Sequence, residues 1–277
     1  MSEVSSAAAT GAPPLPPLPE RMVGRPFGTD EAGRSVVHSK GYIIRGAVEY
    51  MLECVQRRAA ASLPAEMAEA EWQARLATAR AEALDQLVSR LNAAIPDPAY
   101  HITAEYLLDD SHGYSLEFDA FFCELCRQMS GDPRYHFNRA SKTIPTSLSY
   151  LARPFSISQV YGLLPRLISR FVDTDLHVVR TSPGLAVVRL YLDREREQLS
   201  DVLWRLYIPS ACQHGQGALA HIPVIHSGLP VATTRDLCCV MKGDPYCEWE
   251  FTWQEPQRRR DTGTARWSSA ANAREAD

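Results

Sequence analysis

Three cysteines crowd one short stretch, CCVMKGDPYCEWEFTW at residues 238–253, and a fourth, Cys212, precedes them. Cys212, Asp236, Cys239 and Cys247 follow the spacing C-x23-D-x2-C-x7-C. Three thiolates and a carboxylate are a full four-coordinate set for a borderline-soft divalent ion. Zinc in such a closed site needs no open position and performs no redox step. Gly243-Asp244-Pro245 is turn-forming and brings Cys239 back towards Cys247. The other reading of these residues is a turn flanked by buried cysteines, since the paired CxxC knuckles of a zinc ribbon are missing. Cys238 is left over and reads as core. Cys123 and Cys126 form a CxxC on a phenylalanine-rich helix and also read as core residues, not as a redox pair.

The elements that hold these residues follow from periodicity. After Cys247 the chain alternates Trp249, Phe251 and Trp253 with Glu248, Glu250 and Thr252, which is a strand with one apolar face. LHVVRTSPGLAVVRLYL at residues 176–192 reads as a β-hairpin around Ser182-Pro183-Gly184. Helices are expected over residues 41–60, 62–95, 115–129, 156–172 and 198–207. In the second of these Ser62 serves as cap, Pro64 sits in the first turn, and Leu76, Leu84, Leu87, Leu91 and Ile95 form a narrow stripe. That stripe suits docking on the body of the chain or on a second copy. Strands and helices mix without βαβ order, so the fold class is α+β, with an antiparallel sheet packed by helices and a helical segment before it.

The organisation expected is a Pro/Ala-rich disordered arm over residues 1–38, a helical segment over 39–98, an α+β domain over 99–253 and a disordered polar tail over 254–277. The N-terminus has neither a basic n-region nor an apolar h-region, and the chain has no run long enough to span a bilayer, so a cytoplasmic location is expected. A net charge of −4 gives no general reason to bind nucleic acid. Phosphate-binding glycine loops, GxSxG, HExxH and dinucleotide fingerprints are absent, which argues against an enzyme. Tyr161, Tyr191, Trp204 and Tyr207 sit on apolar elements. Among the scattered histidines, His214 and His221 are seven apart and share a face if helical.

From about Tyr100 to Trp253 the chain resembles the V4R (4-vinyl reductase) domain family. The resemblance rests on Cys212, the GQGALAHIPVIHSGLP stretch, Asp236-Leu237-Cys238-Cys239, Gly243-Asp244 and Cys247-Glu248-Trp249. YHITAEYLLDDSHGYSLEF and LCRQMSGDPRYHF are also similar to segments that precede this domain in bacterial sensory proteins. The resemblance implies a fold like that of the haem-NO-binding and Golgi-transport-subunit superfamily. It also implies a homodimer, a V4R-like ligand-binding domain over 99–253 with a pocket for a small hydrophobic or aromatic ligand, and a structural zinc held by Cys212, Asp236, Cys239 and Cys247. Asp236 stands where the family usually carries Glu. Three functions follow from it: a ligand-sensing or regulatory module that acts through an output protein or dimer rearrangement, a tetrapyrrole-pathway 4-vinyl reductase or accessory factor, or a structural adaptor without ligand. The first is the reading taken forward, with His214, Tyr161, Tyr191, Trp204 and Tyr207 as ligand contacts.

Overall fold

The structure, a computed structural model, describes residues 37–144, 152–168 and 174–254. All but the inner ends of the expected arm and tail therefore lie outside the described residues. Helix α1, Gly41–Ser62, buries Ile44, Ala47, Val48, Met51 and Leu52, the three- and four-residue steps of one helical face. Helix α2, Glu69–Ala94, lays its narrow stripe of Leu76, Ala83, Leu87 and Leu91 against α1 of the same chain.

Ser62 does not begin α2, as the sequence suggested; it ends α1, and its hydroxyl donates to the Ala59 carbonyl. The cause is Pro64, which forces Leu63 into extended backbone, so that the second helix begins only at Glu69. Helix α2 starts without a side-chain cap, but Glu69 and Glu71 place negative charge against its N-terminal dipole. It stops before Pro96, where Ile95 is extended for the same reason.

Helix α4, Leu116–Ser130, follows the short α3, Ala104–Leu108, and stands in the middle of the molecule. Ser115 caps it by accepting from the Phe118 amide at 3.2 Å, and Gly131, with φ of 63°, ends it in the left-handed conformation. Its Phe118, Phe121, Phe122 and Leu125 join the core formed by α1 and α2, while Leu116 and Ala120 join a second core around the sheet. Cys123 and Cys126 are fully buried in the first core. Burial pushes the Cys126 thiol up to about 12 and Cys123 well above its ordinary value, so neither offers a thiolate.

Two short strands, β1 (Ser39–Lys40) and β2 (Gly113–Tyr114), tie the start of α1 to the start of α4. The main sheet is antiparallel with order β3-β4-β6-β5, comprising β3 (Asp175–Ser182), β4 (Leu185–Tyr191), β5 (Thr233–Cys238) and β6 (Cys247–Thr252). The expected hairpin is β3–β4, and Gly184 takes φ of 76° in its turn. On the inner face Ala186, Val188 and Leu190 lie directly opposite Phe251, Trp249 and Cys247. On the outer face Arg189 faces Glu248 and Arg235 faces Glu250, both bonded, at 2.7 and 2.9 Å.

Six further helices follow among the described residues, of which Ile157–Ile168 and Asp201–Ala220 pack on the sheet. They are α5 (Tyr135–Asn138), α6 (Ala140–Thr143), α7 (Ile157–Ile168), α8 (Asp193–Gln198), α9 (Asp201–Ala220) and α10 (Ile222–Ser227). The helix expected over 156–172 is described as far as Ile168. The helix expected over 198–207 is instead α9. Ser200 caps it, and it runs on through Pro209 to Ala220, held by its packing against α4, α5 and β6. Proline in a helix interior removes a hydrogen bond, and here tertiary burial outweighs that penalty. The extension matters because it places Ser210, Cys212 and His214 on one rigid element. The architecture is α+β, as the sequence indicates.

Candidate functional site

Three of the four expected metal-binding residues come together. Cys212 comes from α9, Cys247 opens β6 and Cys239 follows β5; all three are buried, and their sulfurs lie within 4.8 Å of one another. The Gly243 turn is fixed from inside: the Asp244 carboxylate accepts from the Cys239 amide at 2.7 Å, and the Lys242 amide donates to the Cys239 carbonyl at 2.8 Å. Three buried sulfurs at this spacing could hold a metal ion; zinc would set its thiolates about 3.8 Å apart, from Zn–S bonds of about 2.3 Å. In this structure Cys212 and Cys247 are joined as a disulfide with Cys239 beside them. Burial raises the Cys239 thiol.

Asp236 does not join the three sulfurs. Its exposed carboxylate accepts from Gln216 Nε2 of α9 at 2.6 Å and lies 3.8 Å from Lys242 Nζ. Cys238, one position past a bulge in β5, is half-buried opposite Glu248.

A second feature was not legible as a whole. Between α9, α7, α10 and the inner face of the β3–β4 hairpin lies a cavity of about 220 Å³. Its walls are apolar, including Val160, Leu164, Leu176, Leu190 and Ile225. One end is polar: His38, Asp119, Arg139, Thr143, Ser210 and His214 all face it. There Arg139 Nη2 donates to Ser210 Oγ at 2.8 Å, and His214 Nε2 is 2.7 Å from Thr143 Oγ1. His38 Nε2 lies 3.1 Å from the Tyr207 hydroxyl and 3.9 Å from Asp119 Oδ2. Burial, with Arg139 adding to it, holds His214 well below the usual imidazole range, so it is neutral at pH 7.

Of the five expected ligand contacts, Tyr207 and His214 line this cavity. Tyr161, Tyr191 and Trp204 do not. Tyr161 is a core residue whose hydroxyl donates to the Leu219 carbonyl at 2.7 Å. Tyr191 falls on the outer face of β4 by strand alternation, where it bonds Arg189 and packs on Tyr246. Trp204 packs beneath the Arg196 guanidinium, 5.6 Å away. The polar residues that do line the cavity carried two sequence signals: a lone Asp119 inside a run of phenylalanines, and Ser210 inside an apolar helix. Arg139 carried none.

No family model and no curated protein matches the chain. Among solved structures, the Fe(II) unliganded H-NOX protein from K. algicida is similar at a TM-score of 0.45 and 8% identity, covering 79% of this chain and 98% of that one. So loose a likeness carries no functional argument. No helix among the described residues is long and apolar enough to cross a membrane.

Proposed function

We propose that the chain is a small-molecule-binding regulatory module, and the apolar cavity with its polar end is the observation that supports this reading. A cavity of roughly 150 Å³ is enough to hold benzene, so about 220 Å³ suits a ligand with one ring or a short chain. Pockets for larger organic ligands run from roughly 300 Å³ upwards. A tetrapyrrole would require the walls to open, and an adaptor with no ligand has no use for the space.

The V4R resemblance supports the same reading and adds a structural zinc. Cys212, Cys239 and Cys247 would supply three thiolates, with Asp236 as fourth ligand once it exchanges its bonds to Gln216 and Lys242. Bound there, zinc would pin α9 to the β5–β6 turn in place of the Cys212–Cys247 disulfide. Ligand occupancy would reach an output protein, or a second copy of the chain, through movement of α9, which carries both sites.

The test is a thermal-shift and calorimetric screen of one-ring and short-chain compounds on the full chain, repeated on Ala218→Phe, which fills the cavity from α9. Binding in the wild type that is lost in a folded Ala218→Phe variant supports the proposal. Equal binding by both proteins would place any ligand elsewhere and end it.

A further inference from the structure

The polar end of the cavity contains a guanidinium, 5.9 Å from the Tyr135 ring, whose hydrogen-bonding capacity the described residues leave largely unused. Arg139 is 2% exposed and lines the cavity from the α5–α6 junction. Nη2 donates to Ser210 Oγ, but Nε and Nη1 are buried with no acceptor among the described residues. The nearest chemistry that could neutralise it is engaged elsewhere. Asp119, at the same end, accepts from the Cys123 thiol at 3.2 Å through Oδ1 and turns Oδ2 towards His38. It acts on Arg139 only through space. A guanidinium cannot shed its proton to escape burial, and an unpaired buried charge is costly, so such a group is retained where something pairs with it.

We propose that the cavity binds a monocarboxylic acid, its carboxylate on Arg139 and Ser210 and its apolar body of about one ring or a short chain among Leu164, Leu176, Leu190 and Ile225. This rests on the reading of the cavity as a ligand site and names the class of ligand. A planar carboxylate accepts from a guanidinium and an adjacent hydroxyl with charge-assisted hydrogen bonds, the strong kind in a dry site. The Asp119 carboxylate at the same end makes a dianion such as a phosphate monoester unfavourable, because a second negative charge would face it across the cavity. A neutral phenol or alcohol would leave the guanidinium uncompensated.

The experiment measures dissociation constants of matched pairs on the full chain: phenylacetate against phenylacetamide, and hexanoate against hexanamide. The acids are expected to bind about tenfold tighter or better than the amides. In Arg139→Met that preference should vanish while amide binding persists. If Arg139→Met does not fold, Ser210→Ala reads the same contact and should weaken the acids severalfold without affecting the amides. Acids and amides binding alike would overturn the carboxylate proposal and leave the cavity reading intact. So would an acid preference that survives Arg139→Met. Binding of neither acids nor amides would overturn both.

Discussion

His214 Nε2 and Thr143 Oγ1 are 2.7 Å apart, a bond that joins α9 to the end of α6 at the edge of the cavity. His136, on α5, is 1% exposed, and neither of its ring nitrogens has a hydrogen-bond partner among the described residues, with Glu124 Oε2 4.0 Å from Nε2. Burial first, then Arg139, depresses both imidazoles well below their ordinary value; Arg127 and His214 add to the effect at His136. The unfolded chain therefore binds more protons than the folded one below about pH 6.5. Stability should be complete above that pH and fall below it, by up to about 1.4 kcal/mol per pH unit for each histidine. Urea unfolding between pH 5 and 8 checks this, with His136→Phe expected to flatten the slope; a stability that does not change over that range would contradict it.

Gly217 on α9 packs so tightly on the backbone of Phe137 that a Cβ would run into the Phe137 carbonyl. Alanine is worth about 1 kcal/mol over glycine in a helix interior, yet the clash is with backbone and cannot be relieved by a rotamer. Gly217→Ala is expected to destabilise by about 1–3 kcal/mol, and a chemical denaturation curve will show the sign. A stabilised variant would mean that α9 and α5 are not so closely apposed.

The sulfur cluster predicts metal content and thiol reactivity together. Protein purified without a histidine tag should carry about one zinc per chain under the proposed site, and Cys247→Ser should lose both the zinc and much of its folded fraction. In the folded wild type Cys54, Cys123 and Cys126 should resist a thiol reagent, and half-exposed Cys238 should react. Metal-free protein that is well folded and keeps the Cys212–Cys247 bond under reductant would remove the zinc proposal.

Tyr161 and Tyr207 separate stability from binding. The Tyr161 hydroxyl donates to the Leu219 carbonyl in the last turn of α9, where the residue four positions on, Pro223, has no N–H to offer. Tyr161→Phe should cost about 1–2 kcal/mol and leave ligand affinity alone. Tyr207 lines the cavity and meets His38, so Tyr207→Phe should change affinity more than stability. Melting temperature and calorimetry on both variants give the comparison.

Patterns of period two and short-range helical spacing carried most of the fold. The β3–β4 hairpin, the alternation of Cys247, Trp249 and Phe251, and the Ser115-capped helix were all readable because neighbours in sequence determine them. Where Pro64 and Pro209 stand, local rules pulled against tertiary packing; the proline effect prevailed at the first and burial at the second. Spacing brought Cys212, Cys239 and Cys247 forward as one of two readings, and it grouped with them Asp236, whose carboxylate bonds Gln216 instead. The polar end of the cavity was not, because His38, Asp119, Arg139 and Ser210 come from four separate elements, and no local spacing relates them.

Helix α4 has a mechanical consequence. One side carries Phe118 and Phe122 into the packing of α1 and α2, and the other presents Asp119 to the cavity and Ala120 to the sheet core. A party wall of this kind gives both halves of the molecule one melting event. A chain cut near residue 99 would strip the aromatic row of its cover and remove His38, Tyr42 and Ile43 from the cavity wall.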